Sequence, residues 1–194
     1  MKIKITLNEK SIKEAITAFN KAKSQLPVMK KEFYEKCCEN ITQLANKNLI
    51  SWDIGENVKD DILNGWVYDV FENGAIIKNN AKKAVYVEFG TGIVGQEQPH
   101  PNSSNTNYEY NRESKYKDSE GRWTFYQNLF DLDLPTEYSD DRIYFHETRR
   151  NSERMLVRTS GAPASLFVFN AILEFKEKNL AKKIWEEIKV KYWG

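Results

Sequence analysis

The sequence predicts an α+β fold: an antiparallel β-meander packed against an N-terminal helical region and a long C-terminal helix, with an inserted β-hairpin arm or long loop. Three observations predict it. Apolar residues recur at helical spacing through residues 10–50 and again beyond residue 160. Between those stretches run short β-branched and aromatic segments punctuated by Asn-Gly and Asn-Asn turns. Residues 95–160 then break the pattern with polar, turn-rich sequence. At 194 residues the chain is long enough for one core-bearing domain, taken here as residues 1–194 with 95–160 as an insertion within it.

Lys2 to Leu7 alternates charged and apolar residues, the pattern of a short half-buried strand. Ser11 and Glu14 form a Ser-x-x-Glu capping box, which would open a helix carrying Ile12, Ala15, Ile16 and Phe19. Pro27 suits the first turn of a second helix, with Phe33, Cys37, Ile41, Leu44 and Leu49 along one side. The expectation is a helical hairpin or a kinked helix. Trp66 to Phe71 reads as a strand, Asn73-Gly74 as a two-residue hairpin turn, and Ala75 to Lys78 as the returning strand. Ala84 to Phe89 (AVYVEF) is expected as a third strand of the same meander, because connections this short exclude parallel crossovers.

In the insertion, Trp123, Phe125 and Tyr126 and then Ile143, Tyr144 and Phe145 are strand candidates, joined by an acidic connection holding Asp131, Asp133, Asp140 and Asp141. Met155 to Val157 is expected as a further strand returning to the sheet. Thr159 or Ser160 would cap a final helix with Pro163 in its first turn. Its apolar face would run through Leu166, Phe169, Ile172, Leu173, Phe175, Leu180, Ile184, Trp185 and Ile188.

Composition narrows the function classes. Hydrophobic residues at 40% and charged residues at 29% describe a globular chain rather than a disordered one. A formal charge of +1 argues against holding DNA by bulk electrostatics. No stretch reaches the roughly 18 apolar residues of a membrane span, and MKIKITLNEK carries no apolar run of a signal peptide, so a cytoplasmic origin is expected. Cys37 and Cys38 are adjacent, so a disulfide between them would be strained, and the absence of a Cys-x-x-Cys pair speaks against structural zinc. One buried and one partly exposed thiol are expected.

Catalytic motifs are weak. The segment VEFGTGIVG lacks the Lys-Ser/Thr pair of a phosphate loop, and Gly90-Thr91-Gly92 is followed by no helix signal; its glycines read as a sharp strand end. His100 sits between Pro99 and Pro101, and His146 precedes Glu147; both read as solvated or hydrogen-bonded surface residues. Arg149, Arg150, Arg154 and Arg158 form a basic cluster, either an exposed face balanced by nearby acids or a surface turned to DNA or an acidic partner. No Gly-x-Ser-x-Gly elbow occurs. These observations predict a non-enzyme without metal or cofactor. Two alternatives remain: a small phage- or toxin-type nuclease using His100 or His146, and a monomeric adaptor that binds a host protein through the insertion.

The order of elements resembles the neck and tail-completion (head–tail joining, minor tail) morphogenesis family of long-tailed bacteriophages. Glu88-Phe89-Gly90-Thr91-Gly92 is similar to the family's EFGTG signature. Gly161-Ala162-Pro163, leading into Phe167, Phe169, Asn170 and Ala171, is similar to the turn before the family's last helix, and His100-Pro101 to its His-Pro element. The resemblance spans residues 1–95 and 159–192, while the longer middle departs from it. It implies a structural virion protein assembled in the bacterial cytoplasm: a subunit of a homo-oligomeric neck or tail ring. The ring would contact the tail tube or tail terminator and the head-closure connector, and genomic DNA would pass through it without sequence-specific binding. Glu88, Phe89, Gly90, Thr91 and Gly92 are then candidate subunit-interface residues. Trp123, Phe125, Tyr126, Tyr144 and Phe145 are either interface anchors or the insertion's own small core. Arg149, Arg150 and Arg154 are candidate DNA- or partner-facing residues.

Overall fold

The computed structural model describes residues 9–52, 54–106, 108–110, 123–128, 142–149, 152–159 and 161–194, the three strands within 123–159 as backbone pairing only. The chain is mixed helix and strand, with a long N-terminal helix and C-terminal helices as the periodicity predicts, and the described strand pairs are antiparallel. It divides into two compact units. The first holds Met1–Asn48, Gly65–Asn80 and Val168–Gly194; the second holds Leu49–Asn64 and Ala81–Phe167. The strand expected over Lys2–Leu7 lies outside the described residues.

In the first unit the spine is α1, Glu9–Ile50, which is one continuous helix rather than a hairpin. Pro27 sits inside it, and Ser11 lies within the helix instead of capping it. Proline in a helix interior loses one hydrogen bond and costs about 3 kcal/mol relative to alanine. The cost is borne here because Pro27 and Lys23, whose carbonyl loses its partner, are both exposed and water can replace the bond. The expected stripe of Ile12, Ile16 and Phe19 is on α1 but exposed.

From Met29 onward α1 is held by a tertiary partner. The C-terminal region, expected as one helix, is two: α6, Phe167–Glu177, and α7, Leu180–Trp193. Asn179 divides them in the left-handed conformation (φ 51°), which asparagine tolerates better than most side chains. Pro163 lies in the connection before α6, not in its first turn. Met29 packs with Ile184 and Ile188 of α7, and Phe33, Cys37, Phe175, Trp185, Tyr192 and Trp193 close around them. Phe33 and Trp185 meet edge to face, 5.6 Å between ring centres. Lys191 bonds Glu32 at 2.8 Å and Glu187 lies 3.9 Å from Lys36, so four residues up α1 match four down α7, and the helices run antiparallel. The Lys191 hydrogen bond holds the Glu32 carboxyl below its usual range. Both thiols are free; Cys38 is buried and Cys37 half-buried, and burial pushes the Cys37 thiol up to about 11.

Strands β1, Trp66–Phe71, and β2, Gly74–Asn79, pair antiparallel from Trp66↔Asn79 to Phe71↔Gly74. The turn is therefore Glu72-Asn73, one residue earlier than the Asn73-Gly74 turn the sequence suggests. Neither Asn73 nor Gly74 takes a positive φ, and the register is held by tertiary bonds instead. Trp66 Nε1 donates to Asn46 Oδ1 at 2.6 Å, and Lys30 Nζ reaches Asn73 Oδ1 at 3.4 Å. The spacings agree: residues 30 to 46 of a helix span ~24 Å and residues 66 to 73 of a strand ~23 Å. The hairpin thus lies lengthwise along α1. A one-residue slip would turn its faces over.

The second unit holds α2 (Glu56–Asn64), α3 (Ala84–Phe89), α4 (Gly92–Glu97) and α5 (Ser103–Thr106). It also holds β3 (Trp123–Asn128), β4 (Arg142–Arg149), β5 (Ser152–Thr159) and the short β6 (Gly161–Ala162). β3, β4 and β5 form an antiparallel sheet in the order β3-β5-β4. The segment Met155 to Val157 is thus a strand, but it joins the insertion's own sheet rather than β1 and β2. The third meander strand, Ala84–Phe89, is helix α3. Only Ala84 and Glu88 are buried in it while Tyr86 is exposed, a four-residue period that a strand cannot produce.

Pro27→Ala restores the missing hydrogen bond at an exposed position. It is expected to raise stability by about 1–3 kcal/mol, read as a higher urea midpoint at unchanged slope.

Candidate functional site

The signature residues meet at a clasp in the second unit, where three separate segments close on one another. Helix α3 ends at Gly90, whose N–H donates to Tyr86 O at 2.9 Å. Gly90 has φ 78°, and a Cβ there would lie 2.7 Å from Ala162 O and Ala164 N, so conformation and space both demand glycine. Thr91 is extended and bridges antiparallel to Ala162, whose N–H donates to Thr91 Oγ1 at 3.1 Å; Gly92 bridges to Gly161. Gly161 has φ 113°, and a Cβ on it would stand 2.0 Å from Thr91 O. Three residues beyond Ala162, Ser165 N–H donates to Val87 O at 3.0 Å and Leu166 N–H to Glu88 O at 3.3 Å. Leu166 takes a left-handed φ of 56°, a conformation costing a branched residue roughly 1–2 kcal/mol. These bonds and the burial of Phe167 hold it there.

The third segment is His100 to Tyr110. His100 was expected at the surface and is only 3% exposed; Glu88 is 7% exposed. His100 Nδ1 accepts the Asn102 N–H at 3.0 Å, which places the ring proton on Nε2, facing Glu88 Oε1 at 3.0 Å. The imidazole lies against Phe89, 4.2 Å between ring centres, and Phe89 continues to Tyr108 at 4.7 Å and Tyr108 to Tyr110 at 4.9 Å. Tyr108 Oη donates to Gly90 O and Tyr110 Oη accepts the His100 N–H, each at 2.6 Å. Burial pushes the Tyr108 hydroxyl up from about 10 to about 12.

A helix does follow Gly90-Thr91-Gly92: α4, contrary to the sequence expectation. Ile93 and Val94 carry little helix propensity. The helix forms because Gly92 and Gly95 are buried, Gly95 against Gly90, Tyr110 and Ala162. Its first amide is committed, since Gly92 N–H donates to Tyr110 O at 2.8 Å. That amide is therefore not free to hold a phosphate.

Of the candidate interface residues, Glu88, Gly90 and Gly92 are buried within their own unit, and Phe89 and Thr91 are half-buried there. Trp123, Phe125 and Tyr126 fall on β3, Tyr144 and Phe145 on β4, and the register joins Phe125, Val157 and Tyr144 in one row and Tyr126, Leu156 and Phe145 in the next. Their side chains lie outside the described residues, as do those of His146, Arg149, Arg154 and Arg158. Arg150 and the acidic connection at Asp131, Asp133, Asp140 and Asp141 lie outside them altogether. Sequence reasoning missed the Glu88–His100 pair and the two tyrosines. The signals for these were the prolines flanking His100 and the alternation Tyr108-Glu109-Tyr110. Among the described residues no three His, Cys, Asp or Glu side chains converge as a metal site. Nor is any described helix long and apolar enough to cross a membrane. Compared with family models, curated proteins and solved structures, the chain gives no match.

His100→Ala removes Glu88's imidazole partner and the ring against Phe89. An expected loss of about 3–5 kcal/mol follows from breaking a buried pair of this kind, measurable by chemical denaturation. Tyr108→Phe should cost about 1 kcal/mol at neutral pH, the worth of its hydrogen bond to Gly90. Because the folded state holds the Tyr108 proton to higher pH than the unfolded chain, wild-type stability should fall as pH rises from about 10 to about 12. The phenylalanine variant should lose less over that window.

Proposed function

We propose that the chain is a non-catalytic structural subunit of the neck or tail of a long-tailed bacteriophage, a tail-completion or head–tail joining protein that works in a ring. The observation that carries this reading is the use to which the EFGTG residues are put. They join the Gly161-Ala162-Pro163 turn and the His100-Pro101 loop in one clasp, so three of the short motifs behind the family resemblance are parts of one built feature, although the strand that the resemblance expects before Gly90 is helix α3. A feature whose glycines admit close backbone approach and whose polar groups bond each other is a scaffold.

The nuclease alternative through His100 is disfavoured by the same geometry. A general base needs a nitrogen within hydrogen-bond reach of a substrate proton, whereas both His100 nitrogens are engaged and the ring is buried. Exposed apolar residues on α1 and on the β1–β2 hairpin suit a protein that buries surface on assembly. A virion location and DNA passage through the ring belong to the same proposal, and the chain's small net charge suits a conduit that does not grip its cargo.

The test is native mass spectrometry of the purified chain with tail tubes or head–tail connectors from the same phage. A discrete, ring-sized mass added to one of them is the expected result. A folded chain that binds neither, and that degrades RNA or DNA, would sink the structural reading.

A further inference from the structure

Among the described residues, the partners of α1 named above lie from Met29 onward. The hairpin reaches Lys30, and the apolar core with α7 begins at Met29. From Glu9 to Val28 no residue of the helix is buried. This stretch nevertheless carries a regular apolar stripe: Ile12, Ile16, Phe19 and Leu26, at steps of four and three with Lys23 between the last two. All four are exposed, Phe19 most of all at 64%. A helix of this length is marginal in water without a packing partner, and apolar spacing of this kind is what a docking helix presents.

A second surface in the first unit has complementary dimensions. The hairpin turns one face to α1, marked by the Trp66–Asn46 hydrogen bond. Alternation puts Val67, Asp69 and Phe71 on the other face, with Ile76 and Lys78 beside them by register. There Val67, Phe71 (54%) and Ile76 are exposed, around the Asp69–Lys78 ion pair. A two-stranded sheet covered on one side only is weakly supported. From Ile12 to Leu26 the stripe is ~21 Å long, and six-residue strands are ~20 Å long.

Charge selects the pairing. Residues 9–28 hold four lysines and two glutamates, a net +2, whereas the hairpin, residues 66–79, holds Asp69 and Glu72 against Lys78, a net −1. Two such arms repel each other, whereas an arm meeting the hairpin of another copy gains.

We propose that residues 9–28 of α1 in one copy dock across the outer face of the β1–β2 hairpin of a second copy. The contact is head-to-tail, so repetition closes a ring when the rotation between copies permits. The inference deepens the ring reading above and rests on it.

The experiment uses two full-length variants, one isotopically labelled. The arm variant is Ile16→Asp with Phe19→Asp, and the hairpin variant is Phe71→Asp with Ile76→Asp. All four positions are exposed, so both variants should fold, which far-UV circular dichroism checks. Assembly is read by native mass spectrometry, free and on tail tubes or connectors. The wild type should assemble in at least one setting and each variant alone should stay monomeric. A mixture of the two should give a heterodimer only, because it retains one intact arm facing one intact hairpin. Assembly unmoved by the substitutions, a mixture without heterodimer, or a wild type monomeric in every setting would overturn the inference. The two readings fail separately. Ring-sized binding to tubes or connectors that survives in the arm variant removes the docking contact and leaves the neck role. Copies that associate through arm and hairpin but bind neither tube nor connector do the reverse.

Discussion

The antiparallel bridge between Thr91-Gly92 and Gly161-Ala162 is the constraint on which the second unit depends. It joins stretches of chain on either side of the β3-β5-β4 sheet, so everything between Gly92 and Gly161 leaves and returns at one point. The backbones approach so closely that neither Gly161 nor Gly90 has room for a methyl group. Side chains then complete what the backbone begins. Thr91 Oγ1 takes the Ala162 amide, Tyr110 O takes the Gly92 amide, and Tyr108 caps the Gly90 carbonyl. Few polar groups at the bridge are left to meet a ligand.

The buried Glu88–His100 pair fits the same logic. Taking an ionisable pair out of water is costly unless hydrogen bonds satisfy it from several directions. Glu88 and His100 meet each other, the Asn102 amide takes the second ring nitrogen, and aromatic rings cover the imidazole. Such a pair adds modest net stability and strong geometric definition, because few other arrangements would satisfy it. It ties α3 to the loop after α4, two pieces of backbone that share no sheet.

The first unit is organised differently. There α1 is a rail against which a hairpin and an antiparallel helix are aligned, and each is pinned by polar bonds some distance apart along it: Asn46 and Lys30 for the hairpin, Glu32 for α7. Apolar packing at Met29, Ile184 and Ile188 supplies most of the cohesion, since burial of whole aliphatic side chains outweighs exposed ion pairs. Among the described residues the rail extends beyond what it carries, and its unburied end keeps the apolar periodicity of the rest.

The sequence by itself determined the class of fold, the helical character of residues 10–50 and of the C-terminal region, the hairpin at residues 66–79 and strands within the insertion. These rest on local periodicity and β-propensity, which survive in any context. It also marked Gly90 and Gly92 as glycines of a sharp turn, though at a strand end where the structure has the end of one helix and the start of the next. Tertiary structure alone decided the rest. Pro27 stays inside one helix because its lost bond faces water, and the hairpin turn falls at Glu72-Asn73 because α1 holds the register. AVYVEF coils instead of extending because Ala84 and Glu88 must be buried together, and the carbonyls of Val87 and Glu88 bond residues almost eighty positions away. His100, between two prolines in a polar stretch, looks solvated until Glu88 and Phe89 close over it. Each of these outcomes depends on contacts between residues far apart in the chain, and propensity and periodicity carry no record of such contacts.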